Sequence, residues 1–223
     1  METGPETLDF LHQLEFFSGF SPEALSQMVG TAEQRSYLRG DMVFREDDDA
    51  KDLFVVRRGR IAIANRSPDG RESVLALMSP GDLFGDMALF DGQGRSAGAR
   101  ALEESLVISI PFEILREKFR EDASSLWNVV AMLSRRIRAA NDSIADSVFL
   151  DVTGRTAKRL LEIAGDRDEF TLPITQEELA GMVGASRERV NKAIAQFVRL
   201  EWIDQTDRVY KIVDRRKLTI RST

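Results

Sequence analysis

A row of mostly apolar side chains between residues 121 and 150 constrains the fold of this chain more than any other feature. Its members recur alternately four and three residues apart: Leu126, Val130, Leu133, Ile137, Ala140, Ile144 and Ser147. This spacing is typical of the a and d positions of a two-stranded coiled coil. Charges flank the row at Arg135, Arg136, Arg138 and Asp142, and no glycine or proline interrupts it. We therefore expect a long helix that pairs with a second copy of itself. The alternative is that the row packs within its own chain.

The charge is distributed unevenly about this helix. Residues 1–150 carry 17 Lys/Arg and 25 Asp/Glu, a net charge of −8, whereas residues 151–223 carry 14 and 12, a net charge of +2. Such an asymmetry hints that the second part faces a polyanion such as nucleic acid. We predict a first domain over residues 1–120, a dimerisation helix over 121–150 and a second domain over 151–223.

The composition excludes several classes of site. The chain has no cysteine, and His12, its only histidine, reads as the exposed side of a first helix. Disulfides, thiol catalysis, iron–sulfur clusters and histidine-based haem or metal sites are therefore not expected. No apolar run approaches the roughly 18 residues of a membrane span, and the acidic N-terminus lacks a secretory pattern. We expect a cytoplasmic protein without membrane contact.

Short alternating runs separated by glycines dominate residues 32–111 and indicate strands. The predicted strands cover residues 37–47, 52–65, 73–85 and 105–110, with a strong turn signal at Pro68-Asp69-Gly70. One or two short helices precede them within residues 8–32, where Ser21 and Pro22 form a cap and a first helical position. A further short helix follows at Phe112–Phe119. Turns this frequent favour an all-β roll, barrel or sandwich.

A glycine-rich stretch after the third run carries the groups of an anion site. Gly85 opens a short helical turn over Asp86–Phe90, and a glycine-rich loop leads to Arg95 and Ser96. A helix N-terminus, a guanidinium and a hydroxyl can together hold a phosphate. The Asp86 carboxylate can accept a sugar hydroxyl, which predicts a nucleotide pocket. Taken alone, an arginine such as Arg95 is more often an ordinary surface arginine in a loop. An enzyme would need a second carboxylate that the spacing does not place near Asp86.

The clearest motif lies in the second domain. Thr175 and Glu178 form a capping box for a short helix, Gly184 marks a turn, and Ser186 caps a second helix. The predicted inner faces are Leu179, Ala180 and Val183 on the first helix, and Val190, Ile194, Phe197 and Val198 on the second. Helix, glycine-containing turn and helix is the layout of a helix-turn-helix.

Two further features complete this second domain. A turn at Thr206-Asp207-Arg208 joins two strands, which makes the helix-turn-helix a winged one. An earlier helix, capped by Asp151 or Thr153, places the domain hinge at Asp151–Gly154.

The second helix of such a motif enters the major groove by its N-terminal residues. Arg187 and Lys192 suit guanine edges, and Glu188 suits the amino group of cytosine. The remaining residues predicted to contact DNA are Thr175, Gln176, Ser186, Arg189 and Asn191, with Thr175, Gln176 and Arg189 placed for phosphate contact. The alternative is a helical hairpin whose charges are only solvated.

Together these motifs resemble the cAMP receptor protein/FNR family of transcription regulators, particularly its actinobacterial members, over nearly the whole chain. The likeness rests on RGDMVFRE (39–46), FGDMALF (84–90), GRSA (94–97), FLDVTGR (149–155) and TQEELAGMVGASRERVNKAI (175–194). It implies an α+β chain with an N-terminal cyclic-nucleotide-binding, jelly-roll-like β-roll, a long dimerisation helix and a C-terminal winged helix-turn-helix. It also implies a homodimeric regulator of transcription rather than an enzyme.

The resemblance assigns a ligand role to eight positions, and cAMP is the effector that it implies. Arg95 and Ser96 would hold the phosphate with the backbone of Met87 and Ala88, and Asp86, after Gly85, would hold the ribose. Ala140 and Asn141, one from each subunit, would meet the adenine. The chain departs from the family where Asp86 replaces the usual glutamate and Ala140 the usual threonine. The alternatives are therefore cyclic di-GMP, another nucleotide, or no ligand.

The resemblance also implies the partners on the DNA side. Its base-reading positions match Arg187, Glu188 and Lys192, with Lys192 standing where arginine is common. We expect a palindromic TGTGA-like site, and RNA polymerase as a further partner. Ligand contact at Asn141 is expected to reorient the long helix and, through the hinge, both recognition helices. The iron–sulfur branch of the family needs cysteines, and the haem branch needs a haem-ligating histidine in the sensing domain. Neither is expected in this chain.

Overall fold

A computed structural model describes residues 4–66 and 72–223. The predicted turn at Pro68-Asp69-Gly70 lies outside the described residues. The described chain forms two compact units, one chiefly of residues 4–65 and 75–138 and the other chiefly of residues 139–223. Helix α5 (Leu126–Phe149) contributes residues to both units.

The first unit is a β-roll with flanking helices, as predicted. Its helices are α1 (Pro5–His12), α2 (Pro22–Thr31), α3 (Met87–Asp91) and α4 (Phe112–Glu121). Its strands are β1 (Glu33–Tyr37), β2 (Met42–Phe44), β3 (Asp52–Arg58), β4 (Ile61–Arg66), β5 (Glu72–Met78), β6 (Leu83–Phe84), β7 (Gly98–Ala101) and β8 (Ser105–Pro111). They form two four-stranded sheets, in the orders β1-β8-β3-β6 and β2-β7-β4-β5.

Strand β3 shows why the roll has two cores. Four consecutive residues of β3, Leu53 to Val56, are buried, and their side chains alternate between the faces of the sheet. Leu53 and Val55 pack with the helices, whereas Phe54 and Val56 pack between the two sheets. A strand buried on both faces reads as a continuous apolar run, which is what the sequence shows here.

A glycine makes the tight connection from β3 to β4 possible. Gly59 has φ +82°, and a Cβ there would lie 2.4 Å from the Oγ of Ser105. Both the backbone conformation and the close approach of the neighbouring loop require glycine.

The long helix begins later than residue 121. Asp122 has an extended backbone (φ −137°, ψ 93°), and its side chain accepts a hydrogen bond from the backbone N–H of Ser124. This cap supports a short 3-10 turn over Ala123–Ser125, after which α5 runs from Leu126 to Phe149. The observed helix therefore lies within the predicted range but loses its first turn to a local cap.

The predicted apolar row on α5 divides between two environments. Leu126 and Leu133 pack against the core of the first unit, next to the buried Val129. Val130, Ile137 and Ile144 instead remain 49%, 62% and 63% exposed. Part of the row is therefore used within the chain, and part is open for a partner.

The second unit contains a winged helix-turn-helix, as predicted. After the end of α5 come α6 (Val152–Ala164), β9 (Glu169–Thr171), α7 (Gln176–Val183), α8 (Arg187–Arg199), β10 (Ile203–Thr206), β11 (Val209–Ile212) and α9 (Arg215–Arg221). The strands form one antiparallel sheet in the order β10-β11-β9. Asp151 rather than Thr153 caps α6, and α9 is an element absent from the sequence predictions.

The prediction that Val198 belongs to the core face of α8 is wrong. Val190, Ile194 and Phe197 are buried, but Val198 is 38% exposed. The three buried residues lie four and three positions apart on one helical stripe, and Val198 falls at its edge.

Within residues 4–66 and 72–223, every helix is too short or too polar to cross a bilayer.

Candidate functional site

A cavity of about 110 Å³ in the first unit brings together most of the predicted ligand residues. Its walls are largely apolar, and its polar groups come from the segment around α3, the following loop and α5. Six of the eight predicted ligand positions line it: Gly85, Asp86, Met87, Ala88, Arg95 and Ser96.

Gly85 gives the floor of this cavity its shape. Its φ is +75°, and a Cβ at this position would lie 2.6 Å from Nη1 of Arg95. A larger residue would displace the guanidinium, so the glycine serves both the turn and the close approach of the arginine. Asp86 is the N-cap residue of α3, but its side chain accepts no hydrogen bond from the backbone of the helix.

The Asp86 carboxylate points instead at an arginine of α5. Asp86 is 2% exposed, and Nη1 of Arg136 donates to both of its oxygens at 2.9 Å. Nη2 of Arg136 also donates to the carbonyl of Leu83 at 2.6 Å. A buried carboxylate is stable only with such a partner, so Arg136 neutralises the acceptor predicted for a ribose.

The role of Arg136 in this site is not among the sequence predictions, which place it only as a charge flanking the apolar row. A sequence signal for this role exists, because Arg136 lies four residues before Ala140 and therefore on the same side of the helix.

Arg95 is buried rather than a surface arginine. It is 5% exposed, its Nη1 donates to the carbonyl of Gly85 at 2.7 Å, and its Nη2 donates to the carbonyl of Asp52 at 2.8 Å. Its guanidinium lies 4.3 Å from the ring centroid of Phe44. Burial lowers the pKa of Arg95, although an arginine stays charged at any physiological pH.

The remaining donors of the cavity have weak or missing partners. Nε of Arg95 is buried and has no hydrogen-bond partner among the described residues. Among the described residues, the hydroxyl of the exposed Ser96 donates to the sulfur of Met87 at 3.3 Å. A thioether is a poor acceptor, so this hydroxyl can donate to a better one.

Ala140 and Asn141 occupy a different position. Both lie on α5, four and five residues beyond Arg136, and both are exposed. The described lining of the cavity includes neither of them. Their role at an adenine therefore stays a prediction.

The helix-turn-helix is held by local caps at each of its corners. Oγ1 of Thr175 accepts from the backbone N–H of Glu178 at 3.1 Å, and Oε2 of Glu178 accepts from the N–H of Thr175 at 2.6 Å. Gly184 ends α7 in the left-handed conformation, at φ +67°. Oγ of Ser186 then accepts from the N–H of Arg189 and starts α8. The hydroxyls of Thr175 and Ser186 are thus already engaged as caps.

The exposed start of α8 carries most of the predicted DNA-contacting charges. Arg187, Glu188, Arg189 and Lys192 are all exposed. Nζ of Lys192 lies 2.7 Å from Oε1 of Glu188, and this hydrogen bond lowers the pKa of Glu188. Because both side chains are exposed, their ion pair contributes little, and each can leave the other to contact a base edge.

Two predicted DNA-contacting residues are less accessible than the others. Asn191 is half-buried, and its Oδ1 is buried without a partner among the described residues. The side chain of Gln176 lies beside the phenol of Tyr210, whose pKa is raised by burial. Of the eight residues predicted to contact DNA, Arg187, Glu188, Arg189 and Lys192 are thus the most exposed on α8.

No group of three or more His, Asp or Glu residues in the described ranges could hold a metal ion.

Comparison with known families finds two matches along the chain. A family model described as cyclic nucleotide-binding domain matches residues 34–122. A second, described as Crp-like helix-turn-helix domain, matches residues 154–220.

Individual proteins match over longer stretches. The chain is 34% identical over 221 residues to the CRP-like cAMP-activated global transcriptional regulator of Mycobacterium tuberculosis, covering 96% of this chain and 99% of the relative. It is 31% identical to the cAMP-activated global transcriptional regulator Vfr of Pseudomonas aeruginosa, covering 76% and 84%. The catabolite activator protein of Thermus thermophilus has a TM-score of 0.53 at 27% identity, covering 93% and 98%. The c-di-GMP responsive regulator CLP of Xanthomonas campestris shares the fold, with a TM-score of 0.73 at 24% identity, covering 86% and 99%.

Proposed function

We propose that this chain, which belongs to the CRP/FNR family of transcription regulators, is a homodimer whose sequence-specific DNA binding is switched by cAMP. The observation that carries the ligand proposal is the cavity in which Gly85, Asp86, Arg95 and Ser96 converge. The relatives from M. tuberculosis and P. aeruginosa are described as cAMP-activated, which makes cAMP the first effector to test. A protein acting on DNA in this way works in the cytoplasm, and RNA polymerase is the further partner that we expect.

The phosphate of the ligand would meet the donors that now lack strong acceptors. These are the hydroxyl of Ser96 and Nε of Arg95. Beside them lie the backbone N–H groups of Met87 and Ala88 in the first turn of α3, where a helix supplies no acceptor of its own. A ribose hydroxyl would donate to Asp86 beside Arg136. Each such hydrogen bond contributes about 1 kcal/mol, so the set suits a small charged nucleotide.

The dimer would form along the open part of the α5 row. Val130, Ile137 and Ile144 recur every seven residues and are about half to two-thirds exposed. An apolar stripe with this period on an unpaired helix face is complementary to a second copy of the same stripe. In a dimer Asn141, which lies three residues before Ile144, would stand near the seam, where it could meet a ligand of either subunit.

The signal would pass from α5 to the recognition helix through α6. Nζ of Lys158 on α6 lies 2.6 Å from Oδ2 of Asp146 on α5. The guanidinium of Arg155 donates to the carbonyl of Leu150, at the end of α5, and to that of Val183, at the end of α7. These contacts tie three helix ends of the second unit together, so a movement of α5 would be transmitted to the helix-turn-helix.

On DNA the two α8 helices would enter successive major grooves, with half-site centres roughly 34 Å apart. Arg187, Glu188 and Lys192 would read the bases of a palindromic TGTGA-like site. Lysine presents one point charge where arginine presents a two-pronged fork. We therefore expect the base opposite Lys192 to be specified less strictly than the others.

The test is operator affinity measured with and without cAMP, in parallel with calorimetry on a panel of cAMP, cGMP and cyclic di-GMP. We expect cAMP to tighten DNA binding and Ser96→Ala to weaken cAMP binding about fivefold, the loss of one hydrogen bond. Ser18→Ala serves as a control, because Ser18 is also exposed but does not line the cavity. DNA affinity that does not change with cAMP would reject cAMP as the effector. Tighter binding of cyclic di-GMP would establish that nucleotide instead.

A further inference from the structure

The C-terminal helix α9 is fastened along α6 at both of its ends. At its start, Arg215 donates through Nη1 to the carbonyl of Gly165 at 2.8 Å and through Nη2 to the carbonyl of Arg167 at 2.6 Å. Gly165 is the residue that ends α6. The last carbonyls of a helix lack internal partners and carry partial negative charge, so a guanidinium there stabilises both helices.

The other end of α9 reaches the hinge. Nη2 of Arg221 hydrogen-bonds to both carboxylate oxygens of Asp151. The same carboxylate accepts the N–H of Gly154 at 2.8 Å and thereby caps the start of α6. The pKa of Asp151 is lowered, first by the Gly154 N–H and then by Arg221. One carboxylate therefore fixes both the first turn of α6 and the last turn of α9.

Close packing of α9 against α6, between the contacts of Arg215 and Arg221, explains the glycine in the hinge. Leu218 on α9 is completely buried. A Cβ at Gly154 would lie 3.0 Å from both the carbonyl oxygen and Nη1 of Arg221. Since a backbone atom cannot move aside easily, the hinge glycine is the residue that allows α9 to approach.

The start of α9 is also connected to the recognition helix. The backbone N–H groups of Val213 and Asp214 both donate to the carbonyl of Trp202, at 2.9 and 3.0 Å. The Trp202 ring stacks on Phe197 of α8, with centroids 5.8 Å apart. Continuous contacts thus run from α8 through Trp202 and α9 to Asp151.

From these contacts we propose that α9 is a strap that sets the hinge, with Arg221 as a positioning residue for DNA binding. Arg221 acts through Asp151: the bridge holds the start of α6 in one geometry, and α6 carries the helix-turn-helix. The proposal rests on the DNA binding described above. It does not depend on which nucleotide is the effector.

The central experiment compares Arg221→Ala with Arg216→Ala. Arg216 is an exposed arginine of the same helix, so both variants remove one positive charge from α9. DNA affinity is measured on a TGTGA-like palindromic duplex at several salt concentrations, with and without cAMP. We expect Arg221→Ala to weaken DNA binding about tenfold and Arg221→Lys to recover part of that loss. We expect Arg216→Ala to have a much smaller effect.

The salt dependence separates positioning from direct contact. A residue that touches a phosphate contributes about 0.9 to the slope of log affinity against log salt, and its loss lowers the slope by that amount. A positioning residue leaves the slope unchanged. A slope that falls in Arg221→Ala would therefore assign Arg221 to the DNA contact and overturn the strap.

A second variant keeps the cap but removes the bridge. Serine is a good helix cap, so Asp151→Ser preserves the start of α6 while leaving Arg221 without its partner. We expect Asp151→Ser to match Arg221→Ala in DNA affinity, and the double variant to be no weaker than either single variant. Additive losses, or equal affinities for Arg221→Ala and Arg216→Ala, would refute the proposal. A wild-type protein that ignores cAMP would instead count against the proposed effector alone.

Discussion

The buried ion pair between Asp86 and Arg136 predicts a large and specific loss of stability. Arg136→Ala leaves a carboxylate that is 2% exposed without its guanidinium partner and removes the donor to the carbonyl of Leu83. Breaking a buried pair by removing one partner costs about 3–5 kcal/mol. Because the Arg136 side chain is itself 40% exposed, water can replace part of the interaction. We therefore expect a loss of about 2–3 kcal/mol.

The adjacent residue supplies a matched control. Arg135 also lies on α5 and pairs with a carboxylate, that of Glu15, but both side chains are more than half exposed. Exposed ion pairs contribute about 0–1 kcal/mol, so Arg135→Ala should scarcely change the free energy of unfolding.

Urea-induced unfolding of the two variants, followed by circular dichroism, measures the difference directly. The double variant Asp86→Ala/Arg136→Ala should be more stable than Arg136→Ala, because it no longer buries an unpaired charge. Equal losses in Arg135→Ala and Arg136→Ala would refute the argument that burial of Asp86 makes this pair important.

Three other predictions concern the fold, the dimer and acid stability. Gly59→Ala should destabilise the protein by more than about 1 kcal/mol because φ is positive and the space is filled, whereas Gly30→Ala, in a helix with open space around it, should stabilise it by about 0.5–1 kcal/mol; thermal unfolding compares them. Ile137→Asp should convert the proposed dimer to a monomer in analytical ultracentrifugation, and a dimer that persists would exclude the exposed α5 row as the interface. The pKa of Asp151 is lower in the folded protein than in the unfolded chain, where it is about 3.9. The ionised carboxylate therefore stabilises the fold at pH values above about 3.9, and this stabilisation is lost as the pH falls through the folded-state pKa. In Asp151→Asn the free energy of unfolding should therefore decrease less steeply below about pH 4 than in the wild type. The same pH dependence in both proteins would contradict this.

Features that depend on neighbouring residues were predictable from the sequence. The capping box of Thr175 and Glu178, the cap at Ser21 and the glycine that ends α7 all form as expected. Each involves groups three or four residues apart, so the local sequence contains every participant. The alternating strands and the helix-turn-helix follow for the same reason. A family resemblance over nearly the whole chain then connected them into one architecture.

Choices among partners far apart in the chain were decided only by the tertiary structure. Periodicity shows which residues of α5 share a face, but it does not show that Leu133 packs within the chain while Ile137 stays exposed. The pairing of Arg136 with Asp86 joins residues 50 positions apart, and that of Arg221 with Asp151 joins residues 70 apart. A charged side chain finds its partner by where the backbone carries it, and sequence spacing reports that position only within a helix turn or a strand pair. The sequence therefore determined most of the helices and strands and the residue types of the candidate ligand cavity. The packing of those elements determined which charge neutralises which.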